Sequence, residues 1–459
     1  MDCSSFPLNH WNQERIIPAL SIKKLIYGGN GLARDDNGKA IFVPMALPGE
    51  TAEVKIVREK KDYAEGIVDK ILTASQERCL PTCPVFVACV GCQLQHLSYE
   101  GQALHKSEIV YEFMGQIKQK EPFIIHPIMV SPVPFHYRLR VQLTVQKGQI
   151  GFYRTKSHNV VPVTSCPITI APLNQVLAFL TRVGIALLTD AYGGRLPEDY
   201  TVELQGTEAG EVLIVLIDTT CARFSTDKIT SFFDTACAEG AICATGKPRF
   251  SLEGVILYHR KKRFCLGKNY LVYNVLGRNI RVSDRSFVQV HGGMHDLLVN
   301  GVLAWADSGE QESHWLELHA GVGMFTLPLS ETAASIIGVE ADHQAVLDAN
   351  FNLNAAECKG ARIISSPVEK ALPNFMPRAF THLLMDPPRA GMTPRTIKEI
   401  ARLSPLKILY LSCHPATLVR DIRGLVACGY RVRRVQPFDL FPQTGHIEIL
   451  VELTISSES

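Results

Sequence analysis

A cysteine stands at the end of an apolar segment near the C-terminus of the chain. Residues 408–413 read ILYLSC, and His414 and Pro415 follow at once. In open α/β sheets the carboxyl ends of the strands face the ligand crevice, where a thiol can act as a nucleophile. Cysteine is also a common core residue, so this segment alone leaves both interpretations of Cys413 open.

A glycine turn lies between a predicted strand and a predicted helix in LELHAGVGMF. Gly321 and Gly323 let the backbone approach a ligand closely. Glu340 ends the next predicted strand, where a carboxylate can bind ribose hydroxyls. Thr326 replaces the third glycine of a dinucleotide fingerprint, and the chain has no Gly-Lys-Ser/Thr of a P-loop. The pattern favours a nucleoside cofactor without a pyrophosphate, S-adenosylmethionine, over other nucleotides.

A third candidate is the carboxylate of Asp386 in LLMDPPRAG. Pro387 and Pro388 stop the predicted strand and stiffen the turn that follows it. Asp386 would then lie over the same crevice. The alternative is that this Asp caps the next helix.

Four cysteines form a candidate metal site. Cys83, Cys89 and Cys92 put three thiols on one short loop, and Cys166, in a Cys-Pro turn, is the best fourth ligand. Iron–sulfur clusters use four thiolates, and zinc is the alternative. Sequence alone would also allow Cys79 as a ligand.

Composition sets broad limits on where and with what the chain works. It has 459 residues, with Lys+Arg 47 against Asp+Glu 45, so overall charge neither demands nor excludes a nucleic-acid partner. We find no apolar run of about 20 residues and no signal peptide, and therefore expect a cytoplasmic protein. In that compartment the 13 cysteines are unlikely to form a disulfide framework.

The elements that position these residues suggest three domains. Residues 1–74 read as short strands with a hairpin signal at Asn37-Gly38 and predict a small OB-like β-barrel. Residues 75–285 predict a mixed α+β domain, and residues 122–189 within it contain no Asp or Glu. Basic residues interleaved with aromatic ones in that stretch suit RNA. Residues 286–459 alternate strands and helices and predict a Rossmann-like α/β sheet that ends in an antiparallel hairpin.

Taken together, these motifs resemble the RNA 5-methyluridine methyltransferase family. The resemblance spans nearly the whole chain: a TRAM-type barrel, the cysteine loop, SFVQV, AGVGMFTLP, DPPRAG, LSCHPATLVRD and TGHIEILVEL. It implies an S-adenosylmethionine-dependent methyltransferase domain at the C-terminus. Three positions depart from the usual pattern: His291, His319 and the sequence Cys-Val-Gly-Cys at 89–92.

The resemblance also implies roles for individual residues. Cys413 would be the nucleophile and Glu448 the base. The implied cofactor-pocket residues are Gln289, His319, Gly321, Gly323, Glu340 and Asp386. The implied ligands of a [4Fe-4S] cluster are Cys83, Cys89, Cys92 and Cys166, which leaves Cys79 out.

The chemistry explains why uracil requires a thiol and a base. C5 of uracil is a poor nucleophile, and addition of a thiolate at C6 raises the electron density on C5. After methylation a base must remove the C5 proton so that the thiolate can leave. The sequence thus predicts C5 methylation of a uridine in RNA, most specifically 23S ribosomal RNA, because the barrel and cysteine cluster resemble that branch. The alternatives are a uridine of the tRNA T-loop, amino methylation of a base, and a non-catalytic RNA-binding or assembly factor.

Overall fold

The computed structural model describes residues 15–197, 200–218, 223–241, 249–260, 262–306 and 312–455. These residues form a closed barrel, a seven-stranded sheet, a two-stranded hairpin and an eight-stranded sheet.

Five strands close into a barrel at the N-terminal end of the described chain. They are β1 (Ile16–Leu25), β2 (Gly31–Arg34), β3 (Ala40–Val43), β4 (Thr51–Glu59) and β5 (Tyr63–Thr73). They pair in the order β1-β2-β3-β5-β4. Alternating side chains such as Ile22, Ile41 and Val54 are buried inside. Gly38, with φ of +78°, lies in the turn between β2 and β3. The predicted barrel and its hairpin are confirmed.

Helix α1 (Tyr99–Met114) follows the cysteine loop and begins at Ser98, whose hydroxyl accepts from the Gly101 amide. In the sequence, an apolar stripe of Leu104, Ile109, Phe113 and Ile117 predicts the buried side of this helix. Ile109 is buried, but Leu104 is 53% exposed. The buried side of the helix instead includes Lys106, whose Nζ lies 2.7 Å from the Asp439 carboxylate. This buried ion pair fixes the rotation of the helix and turns Leu104 outwards.

The middle of the chain is a seven-stranded mixed sheet with helices packed against it. Its strands are β7 (Arg140–Gln146), β8 (Gln149–Tyr153), β9 (Val160–Pro162), β10 (Tyr200–Gly206), β11 (Glu211–Asp218), β12 (Ser251–His259) and β13 (Lys262–Gly267). The order is β13-β12-β11-β10-β7-β8-β9, and only β11 and β12 are parallel neighbours in this sheet as described. The helices are α2 (Ala171–Phe179), α3 (Ile185–Ala191) and α4 (Thr226–Ala241). A hairpin, β14 (Tyr270–Val275) and β15 (Arg278–Ser283), follows.

Helices α2 and α3 are joined by a π-helical turn, Leu180–Gly184, into one segment from Ala171 to Ala191. Among the described residues, this segment alone is long and apolar enough to cross a membrane by length and composition. The expectation that no such segment exists is therefore wrong on those criteria. Buried residues of this segment, including Leu173 and Leu177, belong to the core of the central sheet, and a core helix passes the same test.

The C-terminal part is an eight-stranded sheet with helices on both sides. Its strands are β6 (Ile124–Ile125), β16 (His314–Leu318), β17 (Ser335–Glu340), β18 (Ala361–Ser365), β19 (His382–Met385), β20 (Lys407–Ser412), β21 (Tyr430–Phe438) and β22 (Glu448–Ile455). The helices are α5 (His295–Ala306), α6 (Thr326–Leu329), α7 (His343–Ala355), α8 (Val368–Ala371), α9 (Pro394–Leu403) and α10 (Pro415–Ala427).

The strand order is β18-β17-β16-β19-β20-β22-β21-β6, parallel from β18 to β20 and antiparallel at β22. The order reverses between β16 and β19, and ligands bind at such a switch point in open α/β sheets. The predicted α/β domain and its final hairpin are confirmed.

Domain boundaries are less distinct in the packing than in the sequence. The central sheet and one side of the C-terminal sheet share one apolar core, which includes Leu204, Val255 and Leu409. Strand β6, from the range predicted as the central domain, extends the C-terminal sheet beside β21. The division into residues 1–74, 75–285 and 286–459 stays a prediction.

Candidate active site

The C-terminal sheet brings the predicted site residues to one edge. His319, Asp386 and Cys413 each follow directly after a strand, namely β16, β19 and β20, and these strands are adjacent and parallel. Glu448 opens the antiparallel strand β22, whose Ile449 pairs with Ser412. Strand ends that meet at one edge therefore place a thiol beside two carboxyl groups.

Local sequence explains why the thiol stands at this edge. Strand β20 ends at Ser412, and His414 caps helix α10 by accepting from the Thr417 amide at 3.4 Å. Pro415 occupies the first helical turn, where its missing amide costs nothing. The chain must turn at Cys413, which leaves the thiol half-buried between strand and helix.

The electrostatic surroundings of Cys413 keep the free thiol protonated. Burial raises the pKa of Cys413 to about 11, and the carboxyl groups of Glu448 and Asp386 act in the same direction. The guanidinium of Arg389 opposes them. Because it favours negative charge on sulfur, Arg389 is the cation that can stabilise a thiolate here.

Glu448 and Asp386 form an interacting carboxyl pair. Burial first, and then Asp386, raises the pKa of Glu448 well above its usual value, while Arg389 lowers it. Burial also raises the pKa of Asp386 to about 7, against a hydrogen bond from Gln289. Glu448 is 1% exposed, and within the described chain its Oε1 atom has no hydrogen-bond partner. An unpartnered buried oxygen of this kind is suited to accept a hydrogen bond from a ligand.

The glycine turn and Glu340 form the other half of the site. Glu340 Oε2 accepts from the Gly321 amide at 2.9 Å, so the end of β17 is tied directly to the turn. Gly321 has φ of +55°, and no atom lies within 4 Å of the position a β-carbon would take. The turn is therefore open to a ligand. His319 precedes it in the left-handed region, with φ of +61°.

The predicted alternative role for Asp386 is not the observed one. Helix α9 is capped by Thr393, whose hydroxyl accepts from the Thr396 amide at 3.1 Å. Asp386 instead binds the side chain of Gln289, which is 7% exposed. Of the predicted pocket residues, Glu340 and Asp386 thus lie at the carboxyl edge of the sheet, and Gln289 binds Asp386.

Two of the family departures have different surroundings. His291 lies in the interior, where its Nε2 is 2.7 Å from the Ser131 hydroxyl and its ring stacks on Tyr137 at 4.4 Å. His319 lies by the glycine turn, and the Glu340 carboxylate opposes the lowering of its pKa by burial. Only the second departure is thus seen to face the predicted cofactor pocket.

Sequence reasoning missed three residues of this site. Glu317, buried within β16, accepts from the Thr326 hydroxyl at 2.5 Å, and burial raises its pKa to about 8. A Glu inside a strand buried on both faces was the available signal. Arg389 lay within a recognised motif but was given no role. Tyr27, from the barrel, donates to the Cys413 carbonyl at 2.9 Å, and no pattern could join residues so distant in sequence.

The four predicted metal ligands interact with one another. Cys83, Cys89, Cys92 and Cys166 are free thiols, and each of the first three has its pKa raised by burial and by Cys166. The amide of Gly91 donates to Cys89 Sγ at 3.3 Å. Cys79 is exposed and donates to the Gln95 carbonyl. Among the described residues, no group of three or more His, Cys, Asp or Glu has a geometry suited to a metal ion.

Comparisons with known proteins agree with this architecture. Residues 99–455 match the family model described as tRNA (Uracil-5-)-methyltransferase, and residues 19–68 match the TRAM domain. A protein of Aquifex aeolicus named an uncharacterized RNA methyltransferase is 32% identical over 95% of this chain and 98% of its own. One of Thermotoga maritima with the same description is 29% identical over 95% and 99%.

A solved structure shares the whole fold. The tRNA (uracil-54, C5)-methyltransferase of Pyrococcus abyssi, in complex with S-adenosyl-L-homocysteine, superposes with a TM-score of 0.70 at 22% identity, over 95% of this chain and 99% of that one. The predicted methyltransferase fold is confirmed, and so is the resemblance on which it was based. The chain therefore belongs to the tRNA (uracil-5-)-methyltransferase family of RNA methyltransferases and carries an N-terminal TRAM domain.

Proposed function

We propose that this protein transfers a methyl group from S-adenosylmethionine to C5 of a specific uridine in 23S ribosomal RNA, through a covalent bond between Cys413 and C6 of the uracil. The observation that carries the proposal is the meeting of one thiol, two buried carboxyl groups and one guanidinium at the edge of the sheet. A non-catalytic RNA-binding factor would not require a cluster of ionisable side chains with strongly perturbed pKa values, which is typical of active sites.

The residues of the glycine turn fit the cofactor. Glu340 holds the turn through the Gly321 amide, and the open space beside Gly321 admits a ligand to the backbone. Glu340 would bind ribose hydroxyls, with His319 and Gly323 beside it. When bound, S-adenosylmethionine supplies an electrophilic methyl group.

Cys413 would begin the reaction. Its thiol gives up a proton to solvent, and the thiolate, favoured by Arg389, adds to C6 of the uracil. Electron density then moves to C5, which would form the bond to the methyl group as the bond between methyl and sulfonium sulfur breaks and S-adenosylhomocysteine leaves. Asp386 and Gln289, which already bind each other, would orient the uracil or the cofactor.

Glu448 would complete the reaction. As a carboxylate it takes the proton from C5, the ring regains its double bond, and the C6–sulfur bond breaks to release Cys413. Burial raises the pKa of Glu448, and a carboxylate with a raised pKa is a stronger base. The burial that raises the pKa of Glu448 would thus also make its carboxylate a stronger base in the reaction.

The choice of 23S ribosomal RNA rests on the combination of a TRAM barrel with a cysteine loop, which resembles that branch of the family. A tRNA uridine is the second candidate, because the Pyrococcus abyssi enzyme named for tRNA uracil-54 shares the fold over 95% of this chain. In either case we propose that the protein works in the cytoplasm.

We further propose a [4Fe-4S] cluster on Cys83, Cys89, Cys92 and Cys166. Burial and the neighbouring thiols raise the pKa values of Cys83, Cys89 and Cys92, and a cationic cluster would stabilise them as thiolates. The amide donor to Cys89 Sγ is a further feature that favours a charged sulfur. The alternative is a single zinc ion. With zinc–sulfur bonds of about 2.3 Å at tetrahedral angles, its four thiolates would lie about 3.8 Å apart.

The test is to map 5-methyluridine in RNA from cells that lack the protein. We expect one or a few 23S positions to lose the modification and to regain it with the parent gene but not with Cys413→Ala. A loss confined to tRNA would establish the second candidate. Unchanged ribosomal and transfer RNA would contradict the proposed function.

A further inference from the structure

The barrel contributes a side chain to the active site. Tyr27 lies between β1 and β2, and its hydroxyl donates to the carbonyl oxygen of Cys413 at 2.9 Å. Its ring packs edge-on against His414 at 5.1 Å and lies 6.1 Å from the ring of His446. A residue of the barrel thus contacts the backbone of the nucleophile itself.

The hydrogen bonds around Tyr27 run in one direction. An Arg389 amino group lies 3.3 Å from His446 Nε2, and because a guanidinium only donates, Nε2 must accept. Burial lowers the pKa of His446 to about 4, so the ring is neutral at pH 7 and its proton lies on Nδ1. Nδ1 is 3.4 Å from the Tyr27 oxygen, which in turn donates to Cys413. The relay therefore runs from Arg389 through His446 and Tyr27 to the Cys413 carbonyl.

Close backbone contact fixes Tyr27 in this position. The Gly28 amide donates to the Gly445 carbonyl at 3.3 Å. A β-carbon on Gly445 would lie 2.4 Å from the carbonyl carbon of Gly28, so no larger residue fits there. The loop that carries Tyr27 is thereby held against the segment that leads into Glu448.

We propose that Tyr27 is a positioning residue for Cys413, and that the barrel completes the active site in addition to any contact it makes with RNA. Fixing the Cys413 peptide limits the positions its thiol can take, and a reaction at C6 needs the sulfur held in a narrow range of directions. This inference rests on the proposed function of Cys413 as nucleophile.

Tyr27→Phe removes the hydroxyl and keeps the ring. With RNA and S-adenosylmethionine saturating, the single-turnover rate of methylation should fall about fivefold to tenfold, the effect of one neutral hydrogen bond. The KM for RNA and the melting temperature should stay at the parent values. Tyr63→Phe is the matched control, because Tyr63 also lies in the barrel, where it packs against Phe42, and it should behave as the parent.

A second measurement tests the relay without catalysis. In full-length protein labelled with ¹⁵N-histidine, the His446 Nδ1 proton should exchange with solvent about fivefold to tenfold faster in Tyr27→Phe than in the parent. An unchanged exchange rate, an unchanged single-turnover rate, or a raised KM for RNA at the parent rate would each overturn the positioning role. If the parent itself methylates no RNA, the proposed function fails, while the exchange measurement still decides whether the relay exists.

Discussion

Two regions of this molecule bury thiols, and they differ in what surrounds the sulfur. At the sheet edge, burial raises the pKa of the single thiol Cys413 to about 11, with two carboxyl groups and Arg389 around it. On the cysteine loop, burial raises the pKa of Cys92 to about 12, a hydrogen bond with Gln95 lowers it, and the other thiols raise it further. Arg389 thus lowers the pKa of Cys413, whereas among the described residues no cation is seen to lower that of Cys92.

The difference indicates when each sulfur is charged. In the proposed mechanism Cys413 needs negative charge only during the reaction, so a nearby guanidinium and a substrate that accepts the charge would be sufficient. The raised pKa values of Cys83, Cys89 and Cys92 oppose permanent thiolates, and the proposed metal cluster would supply the positive charge that compensates them.

The two regions are also joined. The amides of Gln93 and Leu94, which follow Cys92, both donate to the carbonyl of Gln443, at 3.0 Å and 2.9 Å. The Gln102 side chain exchanges two hydrogen bonds with Gln443. Because Gln443 leads into Glu448, a change in the cysteine loop has a direct route to the catalytic edge.

The largest expected effect separates the reacting thiol from the other cysteines. Cys413→Ala should lower methyl transfer at least about a thousandfold, since loss of a nucleophile removes the covalent route. Cofactor affinity should stay close to the parent value, because the thiol acts on uracil. Methylation assays and calorimetric titration of the cofactor measure both. Cys428→Ala, at the exposed end of α10, is the control and should react as the parent does. Turnover by Cys413→Ala at the parent rate would contradict the nucleophile role of Cys413.

The next effect concerns the base. In the Glu448→Gln variant, Cys413 should still add to the uracil and C5 should still be methylated. Removal of the C5 proton should slow by at least about a hundredfold. A protein–RNA adduct should then survive a denaturing gel. The matched control is the double variant Cys413→Ala with Glu448→Gln, which should give no adduct. Free product at the parent rate would assign the base role to another group.

A third prediction tests the cysteine loop. Anaerobically purified protein should contain iron and labile sulfide at about four each per chain, and Cys166→Ser should lose both. The Cys166→Ser variant should also melt at a lower temperature and methylate more slowly without becoming inactive, because hydrogen bonds to Gln443 join the cysteine loop to the segment before Glu448. Cys79→Ser is the control, because Cys79 donates to a carbonyl outside the set of four. A colourless parent protein with one zinc ion would contradict the assignment.

The smallest expected effect concerns Arg389, the cation beside Cys413. Arg389 opposes the raised pKa of Cys413, so Arg389→Gln should raise that pKa further and leave less thiolate at pH 8. Alkylation of Cys413 by iodoacetamide should therefore slow a few-fold at pH 8, with its midpoint at higher pH. Arg433→Gln, whose Arg pairs with Glu121, is the control. Equal profiles for parent and Arg389→Gln would mean that the thiolate is stabilised by other groups.

Local patterns were enough to predict the strand-to-turn motifs. Prolines after Asp386 and after His414 force the chain to turn, and the glycines at 321 and 323 allow one, so these sites could be located from neighbours in the chain. The same reasoning failed for Leu104, because a buried ion pair between Lys106 and Asp439 decides which side of α1 faces inwards.

The sequence by itself determined the fold class, the positions of Cys413, Asp386 and Glu340 at strand ends, and the family. The fold class and the strand-end positions depend on periodicity, turn chemistry and spacing, which are local properties of the chain, whereas the family was identified from the resemblance of its motifs. Only the tertiary structure decided that Tyr27 reaches Cys413, that Arg389 opposes the carboxyl pair, and that Gln443 joins the cysteine loop to the catalytic edge. Such contacts join residues tens to hundreds of positions apart. They form because separate elements pack together, and a local sequence pattern does not predict that packing.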